Sequence, residues 1–304
     1  MSNMVVRTNV LALNSHRNLG NVANQQARAS ARLSSGFRIN SAADDAAGLG
    51  ISENMRSQIR GLDQASRNAQ DAISLIQTAE GGLNTINDMV IRVRELVVQA
   101  ANDTNTADGA GGIPAGESNR ARIQAEVNQL VAEIGRTANT LEFNNRNLLE
   151  DGNAFTFQVG ANQGQTLNLT MPTIIADVAD ALVDQLIATG DGWDDIQAAP
   201  GAAGYIASGT GSDISNLLDG IDSLLSLVTT ERGNLGAMQN RLEFTIQNLD
   251  VSSENLSAAN SRIRDTDMAA EMMRLTQANV LQQAATAMLA QGNQAPQSIL
   301  QLLG

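Results

Sequence analysis

The chain has 304 residues and a formal net charge of −13, with 42% hydrophobic but only 2% aromatic residues, so its core must be built from Leu, Ile, Val, Met and Ala. It holds no cysteine, which excludes a disulfide framework and a thiolate site. Every basic residue is an arginine and none lies between Arg146 and Arg232, so the middle of the chain is acidic and disfavours nucleic acid or an anionic membrane as partner.

The N-terminus lacks the long apolar core of a secretory signal. No run of about 18 apolar residues is present to span a membrane. On these features alone the chain would be placed in the cytoplasm. Residues 1–33 read as a helix, with Val6, Val10 and Leu13 on one seam and Met4, Leu11, Leu19 and Val22 widening it. From Ala23 to Arg32 no large apolar residue occurs, so this half is marginal as a lone helix. His16, the only histidine, lies here; with no second ligand at metal spacing and no nucleophile signature, it reads as a structural residue. Leu33 to Gly48 is a turn-rich break in which Ser34, Ser35 and Gly36 end one helix and Ser41 or Asp44 caps the next.

Leu62 to Ala100 carries the strongest pattern. Leu62, Ala65, Ala69, Ala72, Ile76, Ala79, Leu83, Ile86, Val90, Val93, Val97 and Ala100 alternate steps of three and four, a heptad seam held over a helix roughly 60 Å long. Off the seam, Ile73, Leu75, Met89, Ile91, Leu96 and Val98 form a second stripe that one partner cannot bury, so the spacing predicts a bundle. Gly81 and Gly82 interrupt the helix without breaking its seam. After a Gly-rich loop from Asn102 to Ser118, a shorter seam follows at Ile123, Val127, Leu130, Ile134, Thr137 and Leu141.

Phe155 to Val159 and Thr166 to Thr170 alternate apolar and polar residues around Gly160 and Gly164, the pattern of a β-hairpin. Residues 172–212 are the least regular: a short helix at Ile174 to Ala188, then Gly-, Ala- and Asp-rich sequence too polar to bury a core of its own. Asp191, Asp194 and Asp195 read as a solvated face rather than a cation site, because their spacing matches no known loop. The second long seam runs from Leu217 to Ile263, broken only by Glu231, Thr245 and Ser252. Arg262 to Asp267 marks a joint, and Met268 to Ala290 a last helix before an apolar end. The fold class is mainly α: an elongated antiparallel coiled-coil bundle with one β-hairpin and a paired terminal-helix layer.

Two motif sets carry a family resemblance. The break at 33–48 resembles the Leu-Ser-Ser-Gly-x-Arg-Ile-Asn-x-Ala-x-Asp-Asp-Ala-Ala-Gly signature of bacterial flagellins. Ser261 to Glu271 is similar to the family's second joint motif, and Ala287 to Gln291 with Asn293 to Leu303 to its terminus. The resemblance covers residues 1–170 and 213–304. It implies a self-polymerising structural subunit of the bacterial flagellar filament, secreted through the flagellar export apparatus, working outside the cell in motility, with no enzyme activity and no cofactor or metal. A hook–filament junction protein and a soluble coiled-coil binding module are the competing readings.

On that resemblance the chain divides into an inner terminal-helix domain (1–33 with 268–304), joints (34–61 and 262–267), a helical bundle with the hairpin (62–171 with 213–261) and a short variable outward-facing segment (172–212). The implied partners are other copies of the chain, hook-associated and cap proteins, an export chaperone and a host innate immune receptor, with neither nucleic acid nor membrane. Arg92 to Ala100 is similar to the family's receptor-facing segment, which assigns Arg92, Leu96, Gln99 and Glu126 to that surface; Ile91 stands where receptor-activating relatives often carry glutamine. Ser35, Gly36, Arg38, Asn40, Asp44, Asp45, Arg262, Asp265 and Asp267 are assigned to the polymerisation joint, and Leu300 and Leu303 to the terminus. Thr173, Thr189, Ser208, Thr210 and Ser212 are the hydroxyls open to glycosylation in the outer segment.

Overall fold

A computed structural model describes residues 9–105, 118–149, 154–171, 205–208 and 211–303. Six helices and four strands are seen among them: α1 Val10–Ser35, α2 Ala46–Ala101, α3 Asn119–Thr140, β1 Glu142–Phe143, β2 Arg146–Asn147, β3 Ala154–Gln158, β4 Thr166–Thr170, α4 Tyr205–Ser208, α5 Gly211–Arg264 and α6 Met268–Leu303. The chain forms two compact units, one of residues 1–60 and 252–304 and the other of 61–251, with α2 and α5 contributing to both.

In the larger unit the heptad seam of α2 is the core. From Ala65 to Ala100 every seam residue is buried, and Leu217, Ile221, Leu224, Val228, Leu235 and Leu242 of α5 are buried with it. Charged pairs fix α2 and α5 as antiparallel: Arg94 bonds Asp222 at 2.7 Å and Arg232 approaches Glu80 at 3.6 Å. The helix α3 completes the bundle through Ile123, Val127, Val131, Ile134 and Ala138. Its buried line thus passes through Val131 and Ala138, where the spacing alone pointed to Leu130 and Thr137. Ser118 caps α3, its side chain accepting from the Ala121 N–H at 3.0 Å.

The predicted hairpin is present as β3 and β4, in antiparallel register with Phe155 opposite Leu169 and Phe157 opposite Leu167. Its core side buries Phe155, Leu167 and Leu169, and Arg146 stacks over the Phe155 ring at 4.4 Å. A second, two-residue pair, β1 with β2, was not expected. Asn144 and Asn145 turn it with φ of 51° and 60°, the left-handed pair that a type I′ turn requires and that asparagine tolerates. It delivers Leu148 and Leu149 into the core.

The outer segment also needs correction. Ile206 and Ala207 of α4 are buried, and the Ile206 N–H donates to Gln124 Oε1 at 3.1 Å. These residues therefore do not face outward: one isoleucine seated against α3 needs no seam of its own to be core. The expected helix at Ile174 to Ala188, the loop from 106 to 117, and Asp191, Asp194 and Asp195 lie outside the described residues.

The smaller unit pairs α1 with α6. The pairing is antiparallel: Asn9 Nδ2 donates to the Gly292 carbonyl at 2.9 Å, and Gln26 Nε2 to Asn279 Oδ1 at 2.8 Å. Small residues permit the close approach, Ala29, Ala278 and Gly292 being buried. Glu271 is buried with them, 3.8 Å from Arg32 and 2.9 Å from Arg274.

Candidate functional site

The two chain breaks of the smaller unit meet. Gly36 ends α1 in the left-handed region, φ 77°, with its N–H donating to the Arg32 carbonyl at 2.8 Å. Ser35 Oγ accepts from the Phe37 N–H at 3.2 Å. The next residues run against the end of α5: Phe37 pairs with Asp265 in an antiparallel bridge, the Arg38 N–H donates to the Arg264 carbonyl at 2.6 Å, and the Thr266 N–H to the Gly36 carbonyl at 3.0 Å. The Arg38 guanidinium also donates to the Ile263 carbonyl. Arg264 lies 4.7 Å above the Phe37 ring and donates to Glu53 of α2 at 2.6 Å. This hydrogen bond is the main reason the Glu53 carboxyl is held below the ordinary glutamate range.

Two aspartates organise the rest of the first break. Asp44 Oδ2 accepts from the Ser41 N–H at 3.0 Å, from Ser41 Oγ at 3.1 Å and from the Asn40 N–H at 3.2 Å. The Ser41 N–H, followed by the Ser41 hydroxyl and the Asn40 N–H, lowers the Asp44 pKa. Asp45 caps α2, accepting from the Gly48 N–H at 2.9 Å. A Cβ at Gly48 would sit 2.5 Å from Asp45 Oδ2 and 2.8 Å from Ile39 Cδ1, so a side chain there would displace the Asp45 cap. Asp267 does for α6 what Asp45 does for α2, accepting from the Ala269 and Ala270 N–H groups at 2.9 and 3.1 Å. The non-helical joints are only residues 36–45 and 265–267, narrower than the expected 34–61 and 262–267, because α2 starts at Ala46 behind the Asp45 cap and α5 continues to Arg264.

The structure therefore brings Ser35, Gly36, Arg38, Asn40, Asp44, Asp45, Asp265 and Asp267 together in one unit. Arg262 is exposed on the last turn of α5. Leu300 and Leu303 lie on α6, outside the residues whose side chains are described. Arg264, Glu53 and Phe37 complete the joint and were not singled out. An arginine three residues before the second cap and an aromatic directly after the helix-ending glycine were the available signals.

On the larger unit, Arg92 donates to Glu126 at 2.8 Å and to Glu95 at 3.1 Å. The Glu126 bond raises the Arg92 pKa first, then that of Glu95. Gln99 is exposed about two helical turns beyond Arg92. Leu96 is not part of this surface. It is 2% exposed and belongs to the core of the bundle, so it cannot face a partner, whereas Ile91 and Val98 of the same second stripe stay exposed.

Residues 6–154 match the bacterial flagellin N-terminal helical region and residues 218–303 the bacterial flagellin C-terminal helical region. A flagellin of Halalkalibacterium halodurans is 48% identical over 99% of this chain and all of its own length. A flagellin of Bacillus subtilis is 44% identical with the same coverage, and a flagellar filament core protein of Treponema phagedenis 42%. Among solved structures, a flagellar hook-associated protein from Vibrio parahaemolyticus shares the fold at 13% identity, with a TM-score of 0.55 over 73% of this chain and all of its own. Fold and relatives define a structural protein of helical bundles. The chain belongs to the bacterial flagellin family. It is a structural subunit of the extracellular flagellar filament, an assembly of copies of one chain, and not an enzyme; motility and export are the family's general role.

Proposed function

We propose that copies of this chain join through the α1–α6 pair and that the joint at 36–45 and 265–267 holds this pair at the ends of α2 and α5. One observation carries the reading. The larger unit buries its seams, whereas α1 leaves Val10 and Leu13 exposed and α6 leaves Met268, Met272, Met273, Val280, Leu281 and Met288 exposed. An apolar face of that extent on a filament-forming chain is suited to burial against further copies. Polymerisation of a chain carrying Val280→Asp and Leu281→Asp tests it: failure to elongate with unchanged far-ultraviolet circular dichroism supports the reading. Filaments of normal length refute it.

Hook-associated and cap proteins and an export chaperone are proposed as further partners of the same terminal helices. A host immune receptor is proposed for the surface of Arg92, Gln99 and Glu126, all three being exposed. The Arg92→Ala variant in a receptor reporter assay should lose potency, whereas Leu96→Ala should act only through the fold. Equal potency of Arg92→Ala and the parent chain removes the assignment.

A further inference from the structure

Methionine is the only sulfur in this chain, since cysteine is absent. Among the described methionines, exposure divides them by position. Met171 is buried and Met55, Met89 and Met238 are half-buried. Met268, Met272, Met273 and Met288 are 48%, 52%, 69% and 57% exposed, and all four lie on α6. Met272 and Met273 line a groove of about 540 Å³ with Thr276, Gln277, Val280 and Leu281, on the face read above as the contact between copies.

We infer that these four methionines form an oxidation-sensitive switch on assembly, with peroxide as oxidant and the unassembled chain as its target. The inference rests on the reading of α6 as a contact face. Each thioether sulfur attacks one peroxide oxygen. An S–O bond forms as the O–O bond breaks, and the departing hydroxide takes the proton left on the sulfur-bound oxygen. Sulfur thereby loses two electrons, and the products are methionine sulfoxide and water. The sulfoxide is polar, and burying it without a hydrogen-bond partner opposes the contact that the thioether favours. A cysteine would compete for the oxidant; none is present. In a filament the same sulfurs are covered, so the switch acts on subunits awaiting assembly and spares those already in place. Methionine sulfoxide reductases reverse it.

The test treats purified chain and preformed filaments with the same hydrogen peroxide series, maps sulfoxides by peptide mass spectrometry, and follows seeded elongation by light scattering. Met268, Met272, Met273 and Met288 should oxidise before Met55, Met89, Met171 and Met238 in the free chain, and be protected in filaments. Elongation should slow at least about tenfold, equivalent to about 1.4 kcal/mol, and recover with reductases of both stereospecificities. The quadruple variant Met268→Leu, Met272→Leu, Met273→Leu, Met288→Leu should lose its peroxide sensitivity relative to its own untreated sample. Complete sulfoxidation of the four with unaltered elongation overturns the switch alone, provided filaments protect them. Equal oxidation in free chain and filament overturns the contact face and the switch together.

Discussion

The guanidinium of Arg264 lies 4.7 Å above the ring of Phe37, joining the last turn of α5 to the residue that follows the glycine stop of α1. The same guanidinium donates to Glu53, so one side chain ties three elements. A double-mutant cycle of Arg264→Ala and Phe37→Leu should return a coupling of about 0.5–1 kcal/mol in the stability of the smaller unit. Additive losses would show the stacking to be incidental. Arg264→Lys should recover only part of the loss, because an ammonium keeps the charge but not the planar stack.

The adjacent glycines Gly81 and Gly82 of α2 should behave oppositely. A Cβ at Gly82 would overlap Leu141 Cδ2, while one at Gly81 meets open space. Gly81→Ala should therefore stabilise by about 0.5–1 kcal/mol, since glycine costs that much in a helix interior. Gly82→Ala should destabilise by about 1–3 kcal/mol, as an overpacked core does. Thermal unfolding of the two variants decides it, and equal shifts would refute the packing role given to Gly82.

Much of this architecture was legible because a heptad seam is a redundant signal. Each seam residue from Ala65 to Ala100 repeats the same instruction, and the buried positions follow it. The hairpin was legible for a similar reason, Phe155, Phe157, Leu167 and Leu169 alternating within two short runs. What was misread depended on single residues. Ile206 is one side chain meeting α3, Asn144 and Asn145 are one turn, and Leu96 is one buried position on a stripe whose neighbours Ile91 and Val98 stay exposed. Motif resemblance assigns a residue to a surface; it does not say which side of the helix a neighbour will cover. The joint shows the same division. Its caps are local signals, although the first falls on Asp45 rather than on the expected Ser41 or Asp44, whereas the contacts of Arg264 with Phe37 and Glu53 join residues more than two hundred positions apart.

The burial of Ile206 sets a limit on how much of the middle of the chain can be removed. Ile206→Ala should cost about 2–5 kcal/mol in the stability of the larger unit, the usual loss for emptying a buried isoleucine site. Replacing residues 172–204 with a Gly/Ser linker should leave polymerisation intact, whereas extending the replacement to 212 should weaken the bundle. Filaments of equal stability from both variants would show that Ile206 contributes nothing.

Acid should loosen the joint. Asp44 and Glu53 both have folded pKa values below their ordinary ones, so each contributes stability that is present above the unfolded value. That contribution begins to be lost as the pH falls below about 4 and is gone once the folded pKa is passed. Asp222, held down by its hydrogen bond from Arg94, acts with the same sign in the larger unit. Urea unfolding between pH 6 and pH 3 should show Asp44→Asn losing less stability than the parent over this range. Parallel profiles would remove Asp44 from the acid response.

The terminal helices should open far more readily than the bundle while the chain is unassembled. The large apolar side chains described on α1 and α6 include Val10, Leu13, Met272, Met273 and Val280, all exposed, and the stretch from Ala23 to Arg32 has none to contribute. What holds the pair is a few partly buried hydrogen bonds and the Glu271 cluster, against about 1–2 kcal/mol of backbone entropy for every residue ordered. The seam of α2 faces no such deficit, being buried from Ala65 to Ala100. Hydrogen exchange on the free chain should therefore show amides of residues 10–33 and 275–294 exchanging at least about a thousandfold faster than those of 65–100, since local opening spans the range from near zero to the full stability of a domain. In filaments the terminal amides should gain protection as neighbouring copies cover the exposed face. Removing residues 298–304 should abolish filaments and leave the exchange of 65–100 unaltered. Terminal helices as well protected in the free chain as in the filament would show that α1 and α6 need only each other.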